Sequence, residues 1–127
     1  LVTGGAGAVG HYEVQLAAWA GAKVIATVSG PDKAARAEAA GAAHVINYRT
    51  EDVAARVRDL TGGKGVDVVL DCIDAITSKV ALYRASQERG IFVAGSMGAA
   101  ARLDPSQVQV ADLFETHGCP MATAVRI

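Results

Sequence analysis

Aromatic side chains make up only 5% of this 127-residue sequence, with one tryptophan and two phenylalanines. A core here has to be built from small residues, mostly alanine, a composition that suits helices lying close on a sheet. Cysteine is scarce as well. Cys72 and Cys119 lie far apart, without zinc-ligand spacing and without the density of a secreted disulfide scaffold, so they read as two reduced thiols. His11, His44 and His117 are dispersed, no pair stands at metal-ligand spacing, and no metal site is expected. Net charge is nearly absent: 12 basic against 13 acidic residues give −1, which argues against an electrostatic nucleic-acid binder. No apolar run approaches the roughly 18 residues that cross a bilayer, and no signal peptide is visible, so a cytoplasmic protein without a membrane partner is expected.

What is present is an apolar fraction of 51% arranged in a regular alternation. Short β-branched runs, "KVIATV" (23–28), "HVINY" (44–48), "VDVVLD" (66–71) and "GIFVAG" (90–95), read as strands buried on both faces. Segments of helix length separate them. The first runs from about Ala8 to Ala20 and stops at Gly21; the second starts at Pro31 and ends at Gly41. The third is expected to be capped by Thr50, with Glu51 and Asp52 in its first turn, and to close at "TGG" (61–63). A fourth, about 75–87, places Ile76, Val80 and Tyr83 at helical spacing. Strand–helix repetition with short connections is the pattern of βαβ units. It gives an α/β fold with a doubly wound, mainly parallel sheet and helices on both faces. "LVT" is then the end of the first, central strand. Past Ala99 the pattern weakens: 104–118 is read as a helix and "TAVRI" (123–127) as a last strand. The whole of 1–127 makes one domain. Because it begins at Leu1, inside an apolar run, it is expected to be a fragment of a longer enzyme that lacks an N-terminal domain.

The densest local signal is "TGGAGAVGH" (3–11), in which Gly5, Gly7 and Gly10 form G-x-G-x-x-G. That spacing is common by chance in a glycine- and alanine-rich chain. Here it follows a strand and opens a helix, the context in which it binds a dinucleotide. On this reading Gly5 permits the tight turn, Gly7 lets the backbone approach a pyrophosphate, and Gly10 lets the helix pack on the strand. The N–H groups of Ala8 and Val9 then face the phosphate oxygens. The end of the second strand should distinguish the nucleotides. An NAD site places an acid there for the ribose 2′-hydroxyl, but the sequence reads "TVSGPDK" (27–33), with no acid until Asp32 in the next helix. Ser29 supplies a hydrogen-bond donor and Lys33 an ammonium suited to a 2′-phosphate, so NADPH is favoured over NADH.

These residues, continued through "GAKVIATVS" and "GAAHVINYRTEDVAARVRDLTGGKGVDVVLD", resemble the cofactor domain of medium-chain dehydrogenases/reductases. The nearest branch is the zinc-free quinone oxidoreductases. The resemblance is dense over about 1–98 and loose afterwards. It implies a Rossmann-type domain whose Ser29, Lys33 and Tyr48 surround the adenosine 2′-phosphate. It also places Gly95 and Ser96, in "AGS" (94–96), in the turn beneath the cofactor. The implied chemistry is hydride transfer from NADPH to a small-molecule quinone or conjugated enone, and the family often forms homodimers through the sheet edge. In this family a preceding domain closes over the substrate, so no catalytic residue is assigned on this chain.

Three features depart from the family pattern. Glu13 stands where a small residue is usual, on the face shared with Val14 and Ala17, where it either tilts to solvent or weakens cofactor binding. "ASQERGIFV" (85–93) lacks the usual glycine pair, and the tail "FETHGCPMATAVRI" fits poorly. A diverged copy, or a nucleotide-binding module without turnover, is the alternative. A short-chain dehydrogenase would need a lysine four residues after a tyrosine, but Tyr12, Tyr48 and Tyr83 are followed there by Leu16, Asp52 and Gln87. Asp71, at a strand's carboxyl end, is a candidate to reach the ligand crevice, and His11 reads as a surface or cap residue.

Overall fold

The computed structural model describes residues 1–99 and 103–126. Five strands, β1 (Val2–Thr3), β2 (Ile25–Val28), β3 (His44–Asn47), β4 (Val68–Asp71) and β5 (Phe92–Gly95), form one sheet in the order β3-β2-β1-β4-β5. Every pairing is parallel, with Ala26 and Leu70 flanking Val2 on either side. Helices α1 (Ala8–Trp19), α2 (Pro31–Ala39), α3 (Val53–Leu60) and α4 (Ile76–Gln87) make the crossovers, and α5 (Pro120–Val125) follows. The doubly wound Rossmann-type sheet is therefore present.

Alternation along β2 divides the core. Ala26 and Val28 join Val2, Val14 and Ala37 under α1 and α2, while Ile25 joins Ile46 and Val57 under α3. The small residues let α1 lie almost on the backbone of the sheet. A Cβ on Gly10 would collide with the carbonyl of Gly4, and one on Gly5 would stand 2.7 Å from the Cβ of Ala26. Helices α1 and α2 stop where the sequence places their ends, at Gly21 and Gly41, both with positive φ.

Several local expectations are overturned. The cap of α3 is Asp52, whose carboxylate accepts from the Ala55 N–H at 2.9 Å; Thr50 sits in the preceding turn. Glu51 does not belong to the helix, and its side chain instead accepts from the N–H of Asn47 at 2.8 Å. The buried residues of α4 are Lys79 and Ser86, and Ile76 is exposed. Strands β4 and β5 are not buried on both faces, because Val68 and Phe92 are exposed at their amino ends. In 104–118 the described structure holds only a short 3₁₀ turn (Pro105–Gln107) rather than a helix. The segment read as a last strand belongs instead to α5, which buries Ala122 and Val125; Ile127 lies outside the described residues.

Candidate functional site

The strand order reverses direction between β1 and β4, and ligands of open α/β sheets bind at the carboxyl ends of strands beside such a point. A crevice of about 130 Å³ lies there, lined among others by Gly4, Gly7, Ser29, Lys33, Tyr48 and Cys72. Strand β1 and the turn into α1 supply the glycines. Strand β2 and the start of α2 supply Ser29 and Lys33, and the end of β3 supplies Tyr48. Four residues named from the sequence are thus brought together. Among the described residues, no aspartate or glutamate lines this crevice.

The glycines divide the work differently from the sequence expectation. The tight turn runs from Gly4 to Gly7, closed by the Gly7 N–H donating to the Gly4 carbonyl at 2.8 Å. It includes Gly5 as expected, but the positive φ of +64 falls at Gly4. Its N–H donates to the Thr27 hydroxyl at 3.2 Å, and the N–H of Gly5 donates to the Thr27 carbonyl at 2.9 Å, which ties the loop to β2. Gly5 and Gly10 are both buried and serve the packing of α1 on the sheet. Gly7 is exposed, caps α1 without a side chain, and lines the crevice. Ala8 and Val9 follow it as the first exposed residues of α1. The first N–H groups of a helix have no partner within it and carry partial positive charge, so this end can receive an anion.

Gly95 and Ser96 stand elsewhere, off the crevice. The Tyr83 hydroxyl lies directly over Gly95, in the space a side chain there would need. The Ser96 N–H donates to the Asp71 carbonyl at 3.0 Å. Asp71 is 1% exposed and does not reach into the crevice as expected. Its carboxylate is paired with the buried ammonium of Lys79 at 2.5 Å. This pair is not reached from the sequence, because Lys79 lies outside the apolar spacing of Ile76, Val80 and Tyr83 by which α4 is recognised.

Glu13 is half-buried, and its charge reaches Cys72. Burial first, and the negative charges of Glu13 and Asp71 after it, push the Cys72 thiol from 9.0 up to about 11. The thiol is therefore protonated near neutral pH and is no nucleophile. Burial, followed by the charge of Asp71, likewise raises the Tyr83 phenol, which holds its proton too tightly to act as an acid. His11 is half-buried; its Nε2 meets the Gln15 amide nitrogen at 2.7 Å, and its Nδ1 is buried with no partner among the described residues.

Residues 8–118 match the family model of zinc-binding dehydrogenases. A 2-haloacrylate reductase from Burkholderia sp. is 49% identical over 82 residues, 65% of this chain and 25% of that protein. A quinone oxidoreductase of Salmonella typhimurium is 47% identical over 88 residues, 69% of this chain and 27% of that one. Among solved structures, the Escherichia coli quinone oxidoreductase complexed with NADPH is similar at a TM-score of 0.60 and 32% identity, covering 75% of this chain and 36% of that one. The chain thus spans about a quarter of the length of these two curated relatives. Among the described residues no group of three or more His, Cys, Asp or Glu side chains is placed to hold a metal ion, so they do not fit the zinc of the family's name.

Proposed function

Because the chain belongs to the zinc-binding dehydrogenase family, we propose that it is the NADPH-binding domain of an oxidoreductase that reduces a quinone or a conjugated enone or related carbonyl compound. The chain is then the cofactor-binding part of a longer enzyme, in which a second domain encloses the substrate. The observation that carries this reading is the crevice itself. A side-chain-free helix start at Gly7 stands beside Ser29, Lys33 and Tyr48, with no carboxylate among the lining residues.

The pyrophosphate sits against the N–H groups of Ala8 and Val9, where Gly7 leaves room for its oxygens and the end of α1 supplies positive charge. Gly5 and Gly10 hold that helix end at its place. Ser29 donates to the adenosine 2′-phosphate, Lys33 pairs with it as a cation, and Tyr48 completes its surroundings. A carboxylate at the end of β2 would repel a 2′-phosphate, and none is there, which favours NADPH over NADH. Gly95 and Ser96 act from beneath the nicotinamide half by fixing the end of β5. When bound, the cofactor supplies a hydride from its nicotinamide ring, and the protein contributes orientation and electrostatics. The relative named for 2-haloacrylate, a conjugated alkene, fits the same substrate class. Strand β5 is an edge of the sheet and exposes Phe92, which supports a homodimer formed along that edge.

Titration of the chain with NADPH and NADH, followed by nicotinamide fluorescence, tests the reading. Saturable binding is expected, tighter for NADPH. Lys33→Ala is expected to weaken NADPH about tenfold, the value of a partly solvated ion pair with a phosphate, and to leave NADH within about twofold. Equal losses for both nucleotides would refute the assignment of Lys33, and absence of saturable binding would refute the site. Binding without quinone reduction by this chain alone supports a module that turns over only with its partner domain.

A further inference from the structure

Lys79 and Asp71 are both fully buried, with Nζ 2.5 Å from Oδ2. A buried ion pair is a weak source of stability, because desolvation offsets most of the attraction, and an apolar pair of similar volume often serves the fold equally well. This pair is nonetheless bonded on every side. Asp71 Oδ1 accepts from the Thr3 hydroxyl at 3.2 Å and from the Ile73 N–H at 2.9 Å. Lys79 Nζ also donates to the Ser96 carbonyl at 3.0 Å. One network therefore joins the carboxyl ends of β1 and β4 to the segment leaving β5. An apolar pair would fill the volume but offer the Ser96 carbonyl no donor.

The location gives the network its meaning. Ser29, Lys33 and Tyr48 stand on the β2–β3 side of the crevice, and Cys72, which follows Asp71, forms its wall on the β4 side. A dinucleotide lying across a doubly wound sheet places one nucleotide on each side of the reversal point. Resting on the dinucleotide reading above, we propose that Lys79 is a positioning residue. Through Asp71 and the Ser96 carbonyl it fixes the ends of β4 and β5 that receive the nicotinamide half, without touching the adenosine half.

The test compares two probes on the full 127-residue chain: NADPH, and 2′,5′-ADP, which carries the adenosine half alone. Lys79→Met removes the donor. The double variant Asp71→Leu/Lys79→Met removes both charges, so that no carboxylate is left buried without a partner. For the double variant the Kd for NADPH is expected to rise about fivefold, the factor carried by one ordinary hydrogen bond, with 2′,5′-ADP held within about twofold. A purely structural role weakens both probes alike, and that result would overturn the proposal, as would unchanged NADPH binding. Wild-type protein that binds neither probe is a different failure, that of the dinucleotide reading itself, and the inference falls with it.

Discussion

Replacing Gly7 by alanine separates binding from folding. Its φ of −73 is ordinary for an L residue, and an added Cβ meets, among the described residues, only the Gly4 carbonyl oxygen, at 3.2 Å. The contact is tight without overlap, and alanine is a clearly poorer N-cap than glycine, so the expected cost is about 0.5–1 kcal/mol. For a domain of this size that lowers Tm by about 2–5 °C. Gly7 lines the crevice, so the new methyl adds bulk where a phosphate oxygen is proposed to reach the first N–H groups of α1. Charge-assisted hydrogen bonds contribute about 1.5–3 kcal/mol each, so losing one weakens NADPH about ten- to hundredfold. Gly10→Ala is the contrast. Its Cβ strikes the Gly4 carbonyl and comes within 3.0 Å of the Gly5 Cα, backbone that cannot swing aside. Overpacking of this kind costs about 1–3 kcal/mol or more, about 5–15 °C in Tm, and pushes α1 off the sheet. Thermal denaturation and fluorescence titration of the two variants check both halves. A folded Gly7→Ala chain that binds NADPH like wild type would refute the reasoning, as would equal Tm losses for the two substitutions.

Glu13→Ala is expected to tighten NADPH binding, because it removes a carboxylate from the helix proposed to receive the pyrophosphate. It should also lower the Cys72 pKa from about 11, which peptide-resolved alkylation at pH 8 reads as faster labelling. A thiol raised by folding contributes stability that is complete below its ordinary 9.0 and lost as pH climbs toward about 11. Cys72→Ala should therefore flatten the fall of Tm across that range. Asp52→Ala should cost about 1 kcal/mol through loss of the α3 cap, and Thr50→Ala much less, in paired denaturant titrations. Phe92→Lys on the exposed edge strand should reduce any self-association seen by sedimentation, with Tm little changed.

The order of strands and helices through Gly95 was legible because each β-branched run and each helix stop obeys local chemistry. Pro31 opens α2, and Gly21 and Gly41 close their helices. The crevice was legible for the same reason: Gly7, Ser29, Lys33 and Tyr48 follow strand ends, which a parallel sheet must bring to one side. Cap choice was harder. Thr50, Glu51 and Asp52 are all polar, and only the backbone shows which carboxylate meets the Ala55 N–H. The tail misled because "TAVRI" alternates like a strand, while Pro120 and the cap at Cys119 make it a helix, held by Arg126 bonding to the Thr116 carbonyl and hydroxyl. Lys79 escaped notice for a physical reason. Hydrophobic periodicity finds apolar stripes, and α4 buries a lysine and a serine. The one available signal was distributed: Asp71 at a strand end and a lysine eight residues on, at a spacing that strand–loop–helix geometry can close.

The unequal duties of the three loop glycines bear on how such motifs endure. Two of them are required by the seating of a helix on its sheet and would be retained by selection for solubility alone, even in a descendant that had ceased to hold any nucleotide. Only the exposed middle glycine lacks such a duty, and it is the one proposed to face a ligand. Drift at that single site, set against constancy at its neighbours, is therefore the trace that loss of binding would leave in a lineage.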